Sequence, residues 1–509
     1  MDSNVAATAP DAGESVIQTA LEQVRQNPRD HQAYQHLSAA YAKQNQAGLA
    51  LAAALQAIAL EPQDPKAYLL AAAVYCEWSQ WQTCKELLLR CIEHCPSNHD
   101  AHLMLARTYR NLHDLEEFEA TIERCFALQP GSPAALIELA ALERIQGNRQ
   151  RCKELLSQVR AADDQLIRAL VGQTADLQSD QEAREILDAI DELISRSPDH
   201  KQIERLNFAR FECLHWLGDH KQAAAVLRQA NQAKLKRLPS NKTATLARLH
   251  AGTTTPRGVA PQASANSQHV FIVGMPRSGS TLLASILSMR QGSVDLGEPR
   301  AMGQAIAQLG QQASGSSPLA LDSIYRAQLE THPLLKGASE AAITIDKQVT
   351  NFIYCNVILD LIPNAKVIHS RRNPLDNILS MLRAQLVAHY NYCVDVMHAA
   401  EVIIAQEQAM LGFKERYGAR IFTNNYEELT QNPEHHTQQL TDWLGWPWDG
   451  RYLTHHSKKR LIFNTSWVQA RNPINRRSVQ GWRRYADLLE PARQRLISSG
   501  LFDSSALAA

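Results

Sequence analysis

No stretch of this sequence reaches the roughly 18 to 20 consecutive apolar residues that a membrane-spanning helix needs. Its opening, MDSNVAATAPDAGES, holds acids but no base, unlike the basic start and apolar run of a secretion signal. The chain is therefore expected to be cytoplasmic, with no membrane partner. Net charge is missing as well: 52 Lys and Arg balance 52 Asp and Glu, so the field of the whole molecule gives no pull toward nucleic acid or an acidic lipid surface. Any anion must be caught locally. A disulfide or zinc framework is also absent. The nine cysteines are odd in number and most fall in helix-like segments, as small apolar residues do. Cys91 and Cys95 stand one helical turn apart, but no Cys or His pair lies at a zinc-site spacing from them. The neighbours His435 and His436, like His455 and His456, point to different sides of a helix or strand without acidic companions. No metal is expected.

What is present begins with a period. Pro62, Pro96 and Pro130 recur every 34 residues, and Tyr41, Tyr75 and Tyr109 keep the same step. That is the spacing of the tetratricopeptide repeat, in which two antiparallel helices are wedged by large residues, cross closely at small ones and end at a proline. In repeats beginning at His31, Pro65 and His99, the wedge is Tyr34, Tyr68 and His102, the crossing position Ser38, Ala72 and Ala106, and the second helix supplies Ala57, Cys91 and Cys125. A fourth unit from Pro133 has Leu136, Leu139 and Ala140, a turn at Gly147, then Cys152 and Leu156, without a closing proline. A further hairpin spans Asn207 to Ala230, turning at Gly218-Asp219, with Ala223, Leu227 and Ala230 on one face. Five or six hairpins result, forming an α-solenoid over residues 14–248. Such units cannot bury their apolar faces alone, so they stack into a curved surface that suits a peptide or protein partner, a dimerisation role (a homodimer) standing beside it.

With 45% hydrophobic residues in 509, there is enough chain for a second core. Residues 249–268 read as a linker, rich in Gly, Pro, Ser and Thr, and residues 269–505 as an α/β domain. Four β-rich runs, His269 to Gly274, Ala342 to Asp346, Ala365 to Ser370 and Arg420 to Tyr426, alternate with helix-like stretches. That order predicts a P-loop-like parallel sheet with helices on both faces and ligands at the carboxyl ends of its strands.

The first strand leads into VFIVGMPRSGSTLLASIL. Glycines at 274 and 279 let the backbone curl so that its amides point inward, and the helix that follows adds its positive end, which together make an anion cradle. Ser278, Ser280 and Thr281 add hydroxyl donors. The glycine spacing is that of a nucleotide-hydrolase loop, yet Ser280 stands where that loop has lysine, and Arg277 is the only cation. This counts against a kinase or hydrolase, which holds a β,γ-phosphate pair and magnesium. A second signal, KVIHSRRNPLDNILSML, places Arg371 and Arg372 at a strand end and Ser380 eight residues later on a helix, where arginine can fork onto a phosphate oxygen.

Together PRSGSTL and SRRNPLDNILS resemble the two phosphate loops of sulfotransferases that use 3'-phosphoadenosine 5'-phosphosulfate (PAPS). The likeness is nearest to the tyrosylprotein sulfotransferases and to bacterial proteins that join tetratricopeptide repeats to such a domain, and covers roughly residues 268–485. The resemblance implies transfer of a sulfuryl group from PAPS to an acceptor hydroxyl on a protein, peptide or small molecule, leaving 3'-phosphoadenosine 5'-phosphate and needing no metal. It implies that Arg277, Ser278, Gly279, Ser280 and Thr281 hold the 5' end and that Arg372 and Ser380 clamp the 3'-phosphate. Glu298 in LGEPR is then the general base, Lys347 stabilises the transferring group, Tyr426 contacts the nucleotide and Ser466 lies near the leaving group. The sequence departs from the family at Pro299, where a second glutamate is usual, and at Gly481 before Trp482, where lysine is usual; Arg476, Arg477 and Arg483 are the nearby substitutes. The alternatives are a non-catalytic repeat scaffold with a degenerate nucleotide-binding domain and a nucleotide kinase or hydrolase.

Overall fold

The computed structural model describes residues 12–44, 46–78, 80–159, 163–196, 199–254, 268–311, 321–330, 335, 343–457 and 471–508. It divides into two compact units, residues 1–143 with 150–160 and residues 144–149 with 161–509. A helical repeat region comes first in the chain and a parallel-sheet α/β domain follows.

In the first unit, paired helices follow the period of the sequence: His31–Lys43 with Ala47–Leu60, Pro65–Glu77 with Trp81–His94, and His99–Leu112 with Leu115–Leu128. Each first helix is capped at the same repeat position. The side chains of Asp30, Asp64 and Asn98 accept hydrogen bonds from amides in the first turn, satisfying donors that have no partner within the helix. The expected crossing residues are in place: Ala72, Ala106, Ala57, Cys91 and Cys125 are fully buried, and the Ser38 hydroxyl donates to the Ala50 carbonyl at 2.8 Å. Small side chains are what let two backbones come that close.

The second unit opens with helices before the sheet, among them His200–Trp216, His220–Arg237 and Lys242–Thr254. Gly218 makes the turn of the expected hairpin with φ +83, a conformation natural to glycine. Its apolar face, Phe208, Phe211, Leu214, Ala223 and Leu227, lies in one core with Leu375, Ile378, Leu382 and Trp482 of the α/β region. Most of the span expected as a linker lies outside the described residues, and its first part is helical as far as Thr254.

The sheet holds β1 (His269–Gly274), β2 (Ser293–Asp295), β3 (Ile343–Asp346), β4 (Ala365–Arg371) and β5 (Ile421–Asn425) in the order β2-β3-β1-β4-β5, with every pairing parallel. Period-2 alternation sends Phe271 and Val273 into one core with Met302, Tyr325 and Phe413, and Val270 and Ile272 into another with Leu283, Leu287 and Leu440. Four strands match the sequence reading; β2 is additional. Its three residues are half-buried and carry no apolar run, so no periodicity announces it. Because the chain passes from β1 to β2 on one side of the sheet and later crosses from β3 to β4 on the other, the connections part at β1, whose carboxyl end is the expected place for a ligand.

Candidate donor site

The loop at the end of β1 takes its shape from close approaches. Gly274, at φ +144, leaves no room for a side chain, since a Cβ there would lie 2.4 Å from the carbonyl oxygen of Ser370 on β4. Gly279 has φ +101 and stands before the helix Ser280–Leu287; a Cβ on it would lie 2.5 Å from Cδ2 of Tyr426. Between them Arg277 occupies the left-handed region at φ +67, which costs a non-glycine residue on the order of 1 kcal/mol or more and is usually retained for a purpose. Gly279→Ala is expected to lower the melting temperature well beyond Gly292→Ala. Both glycines have positive φ, but nothing lies within 4 Å of a Cβ at Gly292. Thermal unfolding of the two variants isolates the contact with Tyr426, and equal shifts would show that the ring simply moves aside.

The two sequence motifs meet here. Arg277 Nε donates to the Ser380 hydroxyl at 3.2 Å, and Arg372 Nη1 donates to the Arg277 carbonyl at 3.2 Å. The Arg372 guanidinium also lies 4.9 Å over the Tyr426 ring and donates from Nη2 to the Ser478 carbonyl at 2.6 Å. Its Nε is buried without a hydrogen-bond partner among the described residues, and a buried donor left unpaired is costly unless something else accepts from it. Burial, followed by repulsion from Arg372 and Arg383, pushes Arg277 down to about 10, with Glu212 acting the other way. It stays charged at neutral pH.

Other expected residues divide. Ser278 is turned inward, its hydroxyl donating to Ser370 Oγ at 3.0 Å, so it braces the loop against β4. Ser280 and Thr281 form the first turn of the following helix and are nearly buried. Tyr426 begins the helix Tyr426–Gln431 directly after β5. Glu298 and Lys347, 49 positions apart, form an ion pair with Nζ 2.6 Å from Oε1. They are brought together because the chain after β2 runs beside β3, with the Lys347 amide donating to the Gly297 carbonyl at 2.9 Å. Ser466 lies outside the described residues.

Three residues near these groups went unpredicted. Asp376, 2% exposed, accepts from the amides of Gln480 at 2.7 Å and Trp482 at 2.9 Å, and so ties the chain around Gly481 to the helix Pro374–Arg383. Asn377 donates to the Pro276 carbonyl at 2.7 Å. Tyr390 donates to Gln348, next to Lys347, at 3.3 Å, and its phenol is pushed up by burial and then by Glu298. Asp376 and Asn377 lie inside the quoted motif, but nothing in a short polar residue marks its partner. Sterics do not demand glycine at 481, where the nearest atom to a Cβ would be Asp376 Oδ1 at 3.7 Å. Of the substitutes for the family's lysine, Arg476 and Arg477 are exposed and Arg483 donates to the Ala508 carbonyl at 3.3 Å. No group of three His, Cys, Asp or Glu suited to a metal occurs among the described residues, and no described helix is long and apolar enough to cross a membrane.

Residues 269–450 match the sulfotransferase family. Residues 87–117 match the tetratricopeptide repeat. An uncharacterised protein of Aquifex aeolicus is 30% identical over 237 residues, which is 44% of this chain and 31% of that protein, so the chain spans under a third of the length of its relative. Among solved structures, the sulfotransferase domain of the Synechococcus PCC 7002 olefin synthase is 20% identical, covering 47% of this chain and 98% of that one with a TM-score of 0.34. The repeat protein YrrB, described as having an unusual peptide-binding site, is 18% identical over 36% of this chain and 96% of its own, with a TM-score of 0.25.

Proposed function

We propose that the chain transfers the sulfuryl group of PAPS to an acceptor hydroxyl. The observation that carries this reading is the meeting of the two loops: Arg277 on Ser380, Arg372 on the Arg277 carbonyl and on Tyr426, and an Arg372 Nε that is buried without a partner among the described residues. Arginine forks of this kind suit phosphate oxygens. The Tyr426 ring packs against Gly279, and the two arginines with the first turn of the Ser280–Leu287 helix suit a nucleotide with phosphates at both ends.

In this reading Arg277 and the amides of the Ser280–Leu287 helix hold the 5' end, while Arg372, Ser380 and Tyr426 hold the 3'-phosphate and base. The acceptor oxygen attacks sulfur as the bond from sulfur to the bridging oxygen breaks; the electron pair stays with the departing phosphate, and the acceptor's proton goes to Glu298. Charge growing on the bridging oxygen is met by Arg277 and by Lys347, whose burial strengthens its pull. The sulfuryl oxygens compete with Glu298 for Lys347, and a carboxylate released from an ammonium is the stronger base. Ser466 is assigned near the leaving group on the family resemblance alone.

The repeats are assigned to recruitment of a protein or peptide acceptor, as a stacked helical surface allows. Purified chain incubated with radiolabelled PAPS and cell extract is expected to move label onto an acceptor, whose size then tells protein from small molecule. Absence of both transfer and binding of 3'-phosphoadenosine 5'-phosphate would leave a scaffold, and magnesium-dependent ATP turnover would favour the hydrolase.

A further inference from the structure

The helix Pro374–Arg383 carries Ser380 toward Arg277 and, one turn farther on, carries Arg383 toward the helical hairpin that precedes the sheet. There the guanidinium meets Glu212 of the helix His200–Trp216 with both ends of its fork. Nε donates to Oε1 at 3.1 Å, and Nη2 donates to Oε2. Arg383 also lies 5.1 Å over the Phe211 ring, and Nη1 is 3.4 Å from His215 Nε2. Burial and then the charge of Arg383 push His215 down to about 3, so the imidazole is neutral and adds no charge of its own. Its Nδ1 is 2.7 Å from the Tyr485 hydroxyl. Arg277 thus stands in the field of two further arginines, 372 and 383. Arg372 and Arg383 both depress Arg277, and Glu212 is the carboxylate that offsets them.

We propose that Glu212 is an internal counter-ion of the donor site, a positioning residue that holds Arg383 and balances the arginine cluster while no donor is bound. The inference rests on the donor site proposed above and adds a residue from outside the sheet domain: the hairpin before the sheet completes the site's charge balance. An arriving anion takes over the balance, so the carboxylate stabilises the empty protein more than the loaded one. It therefore weakens binding of the spent nucleotide and favours its release. A brace that only kept the helix in place would act in the opposite sense, because loosening it would lower affinity.

The test is calorimetry of 3'-phosphoadenosine 5'-phosphate on four proteins: unaltered, Glu212→Gln, Arg383→Gln and the double variant. Glu212→Gln is expected to bind on the order of tenfold tighter, the scale of removing one nearby charge at intermediate dielectric, although its empty form melts at a lower temperature. Arg383→Gln, which leaves the Glu212 carboxylate without its partner in the field of the donor-site arginines, is expected to bind more weakly, and the double variant to return near the unaltered value. A folded Glu212→Gln protein with equal or weaker affinity would overturn the proposal. If that variant fails to fold, Arg383→Gln and the double variant decide, since the second must bind more tightly than the first. Failure of the unaltered chain to bind the nucleotide would instead sink the donor site itself.

Discussion

Glu298→Gln is expected to slow sulfuryl transfer by roughly 100- to 10,000-fold, the range for a general base, while 3'-phosphoadenosine 5'-phosphate binds as well as before. The factor corresponds to about 3 to 5 kcal/mol of transition-state stabilisation. The reason lies in how unevenly the ion pair is buried. Lys347 has a side chain 3% exposed and Glu298 one 40% exposed, so the lysine is fixed beneath and the carboxylate reaches solvent, which on the proposed reading leaves it accessible to an acceptor. The amide of glutamine still accepts a hydrogen bond from Nζ, which avoids leaving a buried ammonium without a partner, but it cannot take a proton. Donor affinity should therefore survive and chemistry should not. The measurement is single-turnover transfer from labelled PAPS beside nucleotide calorimetry on the same protein, and unchanged turnover would remove Glu298 from the base role. Transfer and binding falling together would point to a structural part for the pair.

The repeat was legible because its punctuation is covalent and local. A proline cannot continue a helix and a 34-residue step can be counted, so the crossing alanines and cysteines fell where expected. The capping residues Asp30, Asp64 and Asn98 keep the same step and could have been found by it. Four strands were legible from apolar runs bounded by glycine or polar residues. Strand β2 was not, because a three-residue edge of Ser, Val and Asp has no period to detect. Within the donor site, residue types could be assigned by resemblance, but pairings could not. That Ser278 spends its hydroxyl on Ser370 and that Lys347 reaches Glu298 follow from which strands are neighbours, and that Asp376 holds the chain around Gly481 follows from a helix meeting a segment more than 100 residues later. An amphipathic stripe likewise told that the hairpin around Gly218 is buried on one face without telling against what. Its partner is the helix Pro374–Arg383, more than 130 residues later.

Arg372→Ala is expected to weaken binding of 3'-phosphoadenosine 5'-phosphate by roughly 10- to 150-fold, the equivalent of the 1.5 to 3 kcal/mol typical of a hydrogen bond to a charged group. Two effects add in the same direction. The variant loses the fork whose Nε is buried and, among the described residues, without a partner, and it loses the bond that holds the Arg277 carbonyl and with it the left-handed turn of the first loop. Arg372→Lys separates them. Lysine keeps the charge over Tyr426 but cannot bridge two carbonyls and an anion from one plane, so an intermediate affinity is expected, falling more steeply with salt than in Arg372→Ala, where the charge is removed. Adenosine 5'-phosphate, which lacks the 3'-phosphate, supplies the second axis: its binding should change less between the unaltered chain and Arg372→Ala than that of the bisphosphate. An equal loss for both nucleotides would mean that Arg372 acts through the Arg277 turn alone, and the assignment of the 3' clamp would pass to Ser380 and its neighbours.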